Sequence, residues 1–246
     1  VSERIRLDQA LEVRGLLPSR ARARDAILRG TVTVNGVVAS KPNQQVGPDD
    51  SIALDDPAAA YVSRAALKLV AGLEAGAIDP GGRVCLDLGA STGGFTQVLL
   101  ERGASKVYAV DVGHDQLHER LKAEPRVVSL EGVNGRDLSA ELIPEPVGLI
   151  VSDVSFVSIL KVVDPALRLA TPRAEAVILI KPQFEVGRDR IGKGGIVNDE
   201  AAIAEAVERI TAHFAAAGWE RRFAVGSPIA GGDGNREIVA GFRRRD

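Results

Sequence analysis

Four residues of this chain are polar where their neighbours are apolar, and their types belong together. Lys181 closes the run Val177-Ile178-Leu179-Ile180, and Asp153 closes Leu149-Ile150-Val151-Ser152. Glu237 opens Ile238-Val239-Ala240, and Lys68 lies among small residues in a helical stretch. A buried ammonium is costly unless an acid neutralises it, so a lysine ending an apolar strand calls for a carboxylate, and Asp153 and Glu237 are available. If the strand at Glu237 runs antiparallel to the others, its beginning shares a sheet edge with Lys181 and Asp153. Such a cluster could hold a fixed cation against negative charge developing on an attacking oxygen. Singly, each residue has a plain reading: a loop aspartate, a solvated lysine, a turn glutamate. Lys68 alone reads as a solvated helix lysine.

The second chemical signal is the stretch Asp87-Leu88-Gly89-Ala90-Ser91-Thr92-Gly93-Gly94-Phe95-Thr96, which follows an apolar run and opens a helix. Glycines there let the backbone take positive φ and approach a ligand closely. The dinucleotide fingerprint is G-x-G-x-x-G, whereas this loop is G-x-x-x-G-G with an acid two residues before its first glycine. Asp87 would repel a pyrophosphate and suits a ligand bearing an ammonium and a sulfonium. That favours S-adenosyl-methionine, with Asp87, Gly89, Ser91, Gly93, Gly94 and Phe95 as its candidate binding residues. Asp111 ends the next strand, about 20 residues on, where an acid can accept from both ribose hydroxyls. The plain alternative is that Asp87 and Asp111 cap turns.

These residues need strands and helices to hold them. Apolar runs at 83–88, 106–112, 126–130, 147–152 and 176–180 alternate with helical stretches at 61–75, 95–102, 115–123 and 157–170. That alternation predicts a parallel sheet covered on both faces. A long helix over 199–217 and two last strands, at 223–225 and 237–242, complete the set. The basic, glycine-rich loop 187–198 directly follows Lys181 and reads as either a substrate lid or a surface loop.

The front of the chain is a separate unit of helix, helix and hairpin. Gly15 ends a helix at 6–14, Ser19 offers an N-cap for a second at 20–29, and Gly30 follows it. Asn35-Gly36 between valine and threonine runs is a hairpin signal, and a short strand at 51–54 closes the unit. Arg14, Arg20, Arg22, Arg24 and Arg29 cluster against Asp25 alone, and guanidinium forks suit phosphate oxygens. An ordinary solvated helix is the competing reading. We expect units at 1–56 and 63–246 with a linker at 57–62.

Composition narrows the classes. A net charge of −2 argues against a uniformly basic coat but permits a local basic face. Cys85 is the only cysteine, so no internal disulfide forms and a cysteine-based zinc site is not expected; we expect no metal. One cysteine fits a reducing, cytoplasmic setting. No apolar run has the length to span a bilayer, and Val1 to Leu11 does not read as a secretory signal.

The order of motifs resembles the TlyA family, often called hemolysin A, which joins an S-four-type RNA-binding module to an FtsJ-like methyltransferase domain. The matching stretches are Arg6-Leu7-Asp8, Tyr61 to Arg64, Leu67-Lys68-Leu69 and Asp87 to Thr96, then Ser152 to Phe156, Lys181 to Glu185, Gly192 to Asp199 and Gly234 to Glu237. They extend over nearly the whole chain. The resemblance implies a Rossmann-like α/β fold of class I methyltransferases, with a seven-stranded, mostly parallel sheet and a small α+β module before it. It also implies a Lys-Asp-Lys-Glu tetrad at Lys68, Asp153, Lys181 and Glu237, with S-adenosyl-methionine as methyl donor. The substrate would be a cytidine ribose 2′-hydroxyl of ribosomal RNA, free or in a subunit. Ala66, where many relatives carry glycine, is a departure. Three readings compete: an RNA-binding protein without catalysis, a cytolysin, and a small-molecule methyltransferase.

Overall fold

The computed structural model describes residues 4–246 and divides the chain into two units, 1–60 and Tyr61–Asp246. The division falls inside the expected linker 57–62. The first three residues of the expected front unit lie outside the described residues.

In the first unit, β1 (Ile5–Arg6) leads into α1 (Leu7–Val13), and α2 (Arg20–Leu28) follows. Gly15 turns the chain at φ 69°, and the Ser19 side chain accepts from Arg22 N as N-cap. Next come β2 (Val32–Val34), β3 (Val37–Val38), β4 (Gln45–Val46) and β5 (Ile52–Leu54). Asn35 and Gly36 both have positive φ, 51° and 79°, as a type I′ hairpin demands. Strand β2 pairs with β3 and β5, and β1 pairs with β4. The β1–β4 pair has only two residues per strand, too few to leave a periodic sequence signal. Leu7, Leu11, Ala23, Ile27 and Val32 bury the apolar face of both helices against the hairpin.

The second unit carries α3 (Ala66–Gly76), β6 (Val84–Leu88), α4 (Gly94–Glu101), β7 (Lys106–Asp111), α5 (Glu119–Lys122), β8 (Val127–Glu131) and β9 (Val147–Ser152). Then follow α6 (Asp164–Arg168), β10 (Ala170–Ile180), α7 (Pro182–Glu185), α8 (Glu200–Ala216), β11 (Trp219–Gly226) and β12 (Ile238–Arg244). A seven-stranded sheet in the order β11-β12-β10-β9-β6-β7-β8 is covered by two apolar clusters. Strands β10, β9, β6, β7 and β8 pair in parallel, and β12 runs antiparallel between β10 and β11. The order reverses direction between β6 and β9, and ligands of open α/β sheets sit beyond the strand ends at such a point.

Three expected helices differ from the structure. The helix expected from Tyr61 begins at Ala66, because Val62 N is held by Gln97 Oε1 and Ala65 N by Ser63 Oγ. The helix expected over 115–123 shrinks to α5: Asp115 sits at φ 53°, and the amides of Gln116 and Leu117 donate to the Glu131 carboxylate. The stretch 157–170 splits into a short 3₁₀ turn at Ile159–Lys161 and α6, which has Pro165 in its first turn. Strand β10 starts at Ala170, earlier than expected, with a register shift between Ala170 and Glu175. Strand β11 likewise starts at Trp219, whose buried indole stands edge-on to Phe214.

Candidate active site

Parallel and antiparallel register together gather the polar strand ends. Ile180 pairs with Ile238 across β10 and β12, so Lys181, just past one strand, stands beside Glu237, just before the other. Ser152 pairs with Leu88 across β9 and β6, which sets Asp153 beside Gly89.

The tetrad forms two ion pairs. Lys68 Nζ donates to Glu237 Oε2 at 2.5 Å, and both side chains are almost fully buried. Lys181 Nζ lies 2.6 Å from Asp153 Oδ1 and donates to Ser155 Oγ at 2.6 Å and more weakly to the Asp153 carbonyl at 3.3 Å. The pairs feel each other: burial raises the Glu237 pKa above the ordinary carboxylate value, the charges of Lys68 and Lys181 pull it back, and Asp153 pushes it up. Lys68 is therefore no solvated helix lysine.

The glycine loop borders two adjoining cavities. One, of about 650 Å³, is lined by Gly89, Ser91, Asp111, Asn134, Asp153 and Phe156 among others. The other, of about 130 Å³, is lined by Ser63, Ser91, Gly94, Phe95, Asp153 and Ser155 among others. Gly89 has φ 86°, and a Cβ there would come within 3.0 Å of the Val154 backbone. Gly93, at φ 99°, shapes the turn: a Cβ would collide with Leu121 at 2.3 Å.

Asp87 lies fully buried behind the loop. Its Oδ2 accepts the Thr96 hydroxyl at 2.7 Å, and its Oδ1 has no hydrogen-bond partner. Burial pushes its pKa up to about 7, Thr96 opposes the shift, and Asp153 and Asp111 add to it. Asp111 accepts the Ser91 amide at 2.7 Å on one oxygen and the Gly113 amide at 2.8 Å on the other. It thus both shapes the turn and faces the larger cavity.

Several residues here escaped the sequence reading. Ser155 binds Lys181; it lies in the matching stretch Ser152 to Phe156, two residues after Asp153, but that stretch gives it no role of its own. Gln116, Asn134 and Arg136 line the larger cavity from irregular segments without a motif. Phe156 is 91% exposed at φ 65°, a strained setting for a bulky residue, with its ring 5.4 Å from that of Phe184. Asn235 is fully buried; it accepts the Val197 amide and donates to the Gly195 carbonyl, fastening the loop 187–198 to the segment before β12.

In the first unit, the basic helix is more internally engaged than its charge count suggests. Arg29 clamps Asp56 at 2.6 and 2.8 Å and also reaches Asp25. Arg22 donates to the Ala58 carbonyl, and Arg14 to the carbonyls of Gly47 and Asp50. Arg20 and Arg24 are exposed, with Arg20 3.4 Å from Asp8.

A doubly wound sheet with a glycine loop at its switch point, flanked by buried lysine–carboxylate pairs, defines a class I methyltransferase. Residues 61–244 match the FtsJ-like methyltransferase family, and residues 5–52 match the S4 domain. The chain belongs to the FtsJ-like methyltransferase family and, within it, to the TlyA group. It is 44% identical over 244 residues, 99% of this chain and 91% of the relative, to the 16S/23S rRNA (cytidine-2′-O)-methyltransferase TlyA of Mycobacterium tuberculosis. It is 39% identical to Hemolysin A of Brachyspira hyodysenteriae, covering 97% of this chain and 99% of the relative. A solved structure of a hemolysin-named protein from Streptococcus thermophilus superposes with a TM-score of 0.77 at 33% identity, covering 100% of this chain and 90% of that one. Among the described residues no helix is long and apolar enough to cross a membrane, and no cluster of metal-ligating side chains occurs.

Proposed function

We propose that this protein transfers a methyl group from S-adenosyl-methionine to the ribose 2′-hydroxyl of a cytidine in ribosomal RNA, in the cytoplasm. The observation that carries the reading is the pairing of Lys181 with Asp153 at the mouth of the glycine-loop cleft. Asp153 lines both cavities while holding the Lys181 ammonium at 2.6 Å.

The residues present fit the methyl donor. Asp87 Oδ1, buried directly behind the glycine loop, is an acceptor without a hydrogen-bond partner, which suits a cationic group held by that loop. The bare Gly89 backbone allows close approach, and Asp111 on the cavity wall can accept from sugar hydroxyls. Bound there, S-adenosyl-methionine supplies a methyl group already activated on its sulfonium, so the protein's part is mainly positioning and charge. Lys181 donates a hydrogen bond to the 2′-oxygen and stabilises the negative charge developing on it, while the hydroxyl proton is released to solvent as the methyl is transferred. Asp153 fixes the direction of that ammonium. The Lys68–Glu237 pair braces the same sheet edge and biases its field. Phe156 offers an exposed ring face on which a base can stack. In the S4 domain, Arg20 and Arg24 are the guanidiniums best placed for phosphates, with Arg14, Arg22 and Arg29 holding that surface in shape.

The test is methyl transfer from labelled S-adenosyl-methionine to ribosomal subunits and to free ribosomal RNA, with the modified ribose mapped by mass spectrometry. The intact protein should label a cytidine 2′-oxygen. Lys181→Ala should give no transfer and bind the donor within a few-fold of the intact protein. Methyl on a base, or turnover by Lys181→Ala, overturns the reading.

A further inference from the structure

The Lys181 ammonium is already engaged as it stands, and its shortest hydrogen bond is to Ser155 Oγ. Its ammonium forms an ion pair with Asp153 Oδ1 at 2.6 Å and donates to Ser155 Oγ and, more weakly, to the Asp153 carbonyl, and its side chain is 9% exposed. Lys181 lines neither of the two cavities, whereas Asp153 and Ser155 line both. A ribose oxygen approaching from the cleft therefore meets these two residues before it meets the ammonium.

Of the three acceptors, one can leave at small cost. The Asp153 carboxylate is an ion-pair partner, and its carbonyl belongs to a backbone whose amide is bonded to Leu88 O. Ser155 contributes a neutral hydroxyl on a single rotatable bond, and its residue is exposed. Its chain neighbour Phe156 sits at φ 65° with its ring almost wholly in solvent, so this turn stores strain that ligand contact can release.

We propose that Ser155 Oγ is a placeholder for the target hydroxyl: in the free enzyme it occupies the hydrogen-bond position on Lys181 Nζ that the ribose 2′-oxygen takes when RNA engages. This rests on the reading above. The hydroxyl satisfies the buried ammonium and keeps it aimed at the cleft while no RNA is present. It turns away only when an oxygen of equal hydrogen-bonding power replaces it, which disfavours a 2′-deoxy substrate.

Steady-state methyl transfer to ribosomal subunits, with KM for the subunit and kcat determined separately, tests this across Ser155→Thr, Ser155→Cys and Ser155→Ala. Removing the competing hydroxyl should lower KM by about three- to tenfold in Ser155→Ala, the fold-change equivalent of one net hydrogen bond. Cys, a poorer acceptor, should fall between, and Thr, which keeps the hydroxyl, should restore the original KM. A drop in kcat with unchanged KM in Ser155→Ala, rescued by Thr, would show that Ser155 only orients Lys181 and would overturn the placeholder role. An intact protein that transfers no methyl overturns the underlying reading and this inference with it.

Discussion

Lys68 Nζ lies 2.5 Å from Glu237 Oε2 although 169 positions separate the two residues along the chain. Gly72, one turn beyond Lys68 in α3, makes the meeting possible. A Cβ there would come within 2.6 Å of Val177 and 2.7 Å of Val239, so the bare glycine lets the helix lie close upon β10 and β12. The lysine then reaches the start of β12 without leaving the core.

That ion pair predicts a stability signature. Lys68→Met should destabilise the protein by about 3–5 kcal/mol, because Glu237 is left buried and uncompensated. Lys68→Met with Glu237→Leu should recover most of the loss, since removing both charges of a buried pair is often nearly neutral. Urea unfolding of the single and double variants gives the coupling energy. Additive losses would show that the pair is not a unit.

Asp87 predicts a pH dependence of stability. Its pKa is pushed up to about 7 in the folded state, against about 4 in an unfolded chain. Between those values the folded state holds a proton that the unfolded state has released, so this residue's contribution to stability falls as pH rises and levels off above about 7. Relative to Asp87→Asn, the intact protein should lose melting temperature mainly from pH 5 to pH 7, with the loss tapering off by pH 8. A constant difference across that range contradicts the assignment.

Gly89 predicts a separation of binding from folding. In Gly89→Ala the new methyl meets the Val154 backbone at 3.0 Å at φ 86°, and an L-residue in the left-handed region costs about 1–2 kcal/mol. Affinity for S-adenosyl-methionine should drop by about tenfold or more, because the loop and the segment leading to Ser155 must shift apart. Calorimetric titration reports this, and unchanged affinity would mean that the loop does not cradle the donor.

The two kinds of arginine in the first unit predict different phenotypes. Arg20→Glu with Arg24→Glu should weaken RNA binding and shallow its salt dependence by about one unit of slope for each phosphate no longer neutralised, with little change in melting temperature. Arg29→Ala should chiefly lower stability, by about 3 kcal/mol, because Asp56 is left without its clamp. Equal affinity and salt slope in the charge-reversed protein would remove these arginines from the RNA surface.

Much of this molecule follows from local rules. Asn35-Gly36 specifies its hairpin because both positions need positive φ, Ser19 and Asp199 cap their helices through side-chain oxygens, and the parallel strands read as apolar runs because both sheet faces are covered. The polar strand ends are legible for the same reason: a charge that terminates a buried run stands out. The helices expected at 61–75, 115–123 and 157–170 come out shorter because distant partners, Gln97, Glu131 and Glu185, take the amides or hydroxyls that a longer helix would have used.

The sequence by itself determined which residues carry charge at the ends of buried strands and where the glycine loop opens, since residue type and local periodicity are properties of short segments. Which lysine meets which acid was decided only by the register of β12 against β10 and the close seat of α3 on the sheet. The same holds for Ser155, which the turn after β9 brings to the Lys181 ammonium, and for Arg29, drawn from a basic face into a clamp on Asp56. A contact ion pair needs its nitrogen and oxygen within about 4 Å, and only the folded chain sets distances on that scale between residues so far apart in sequence.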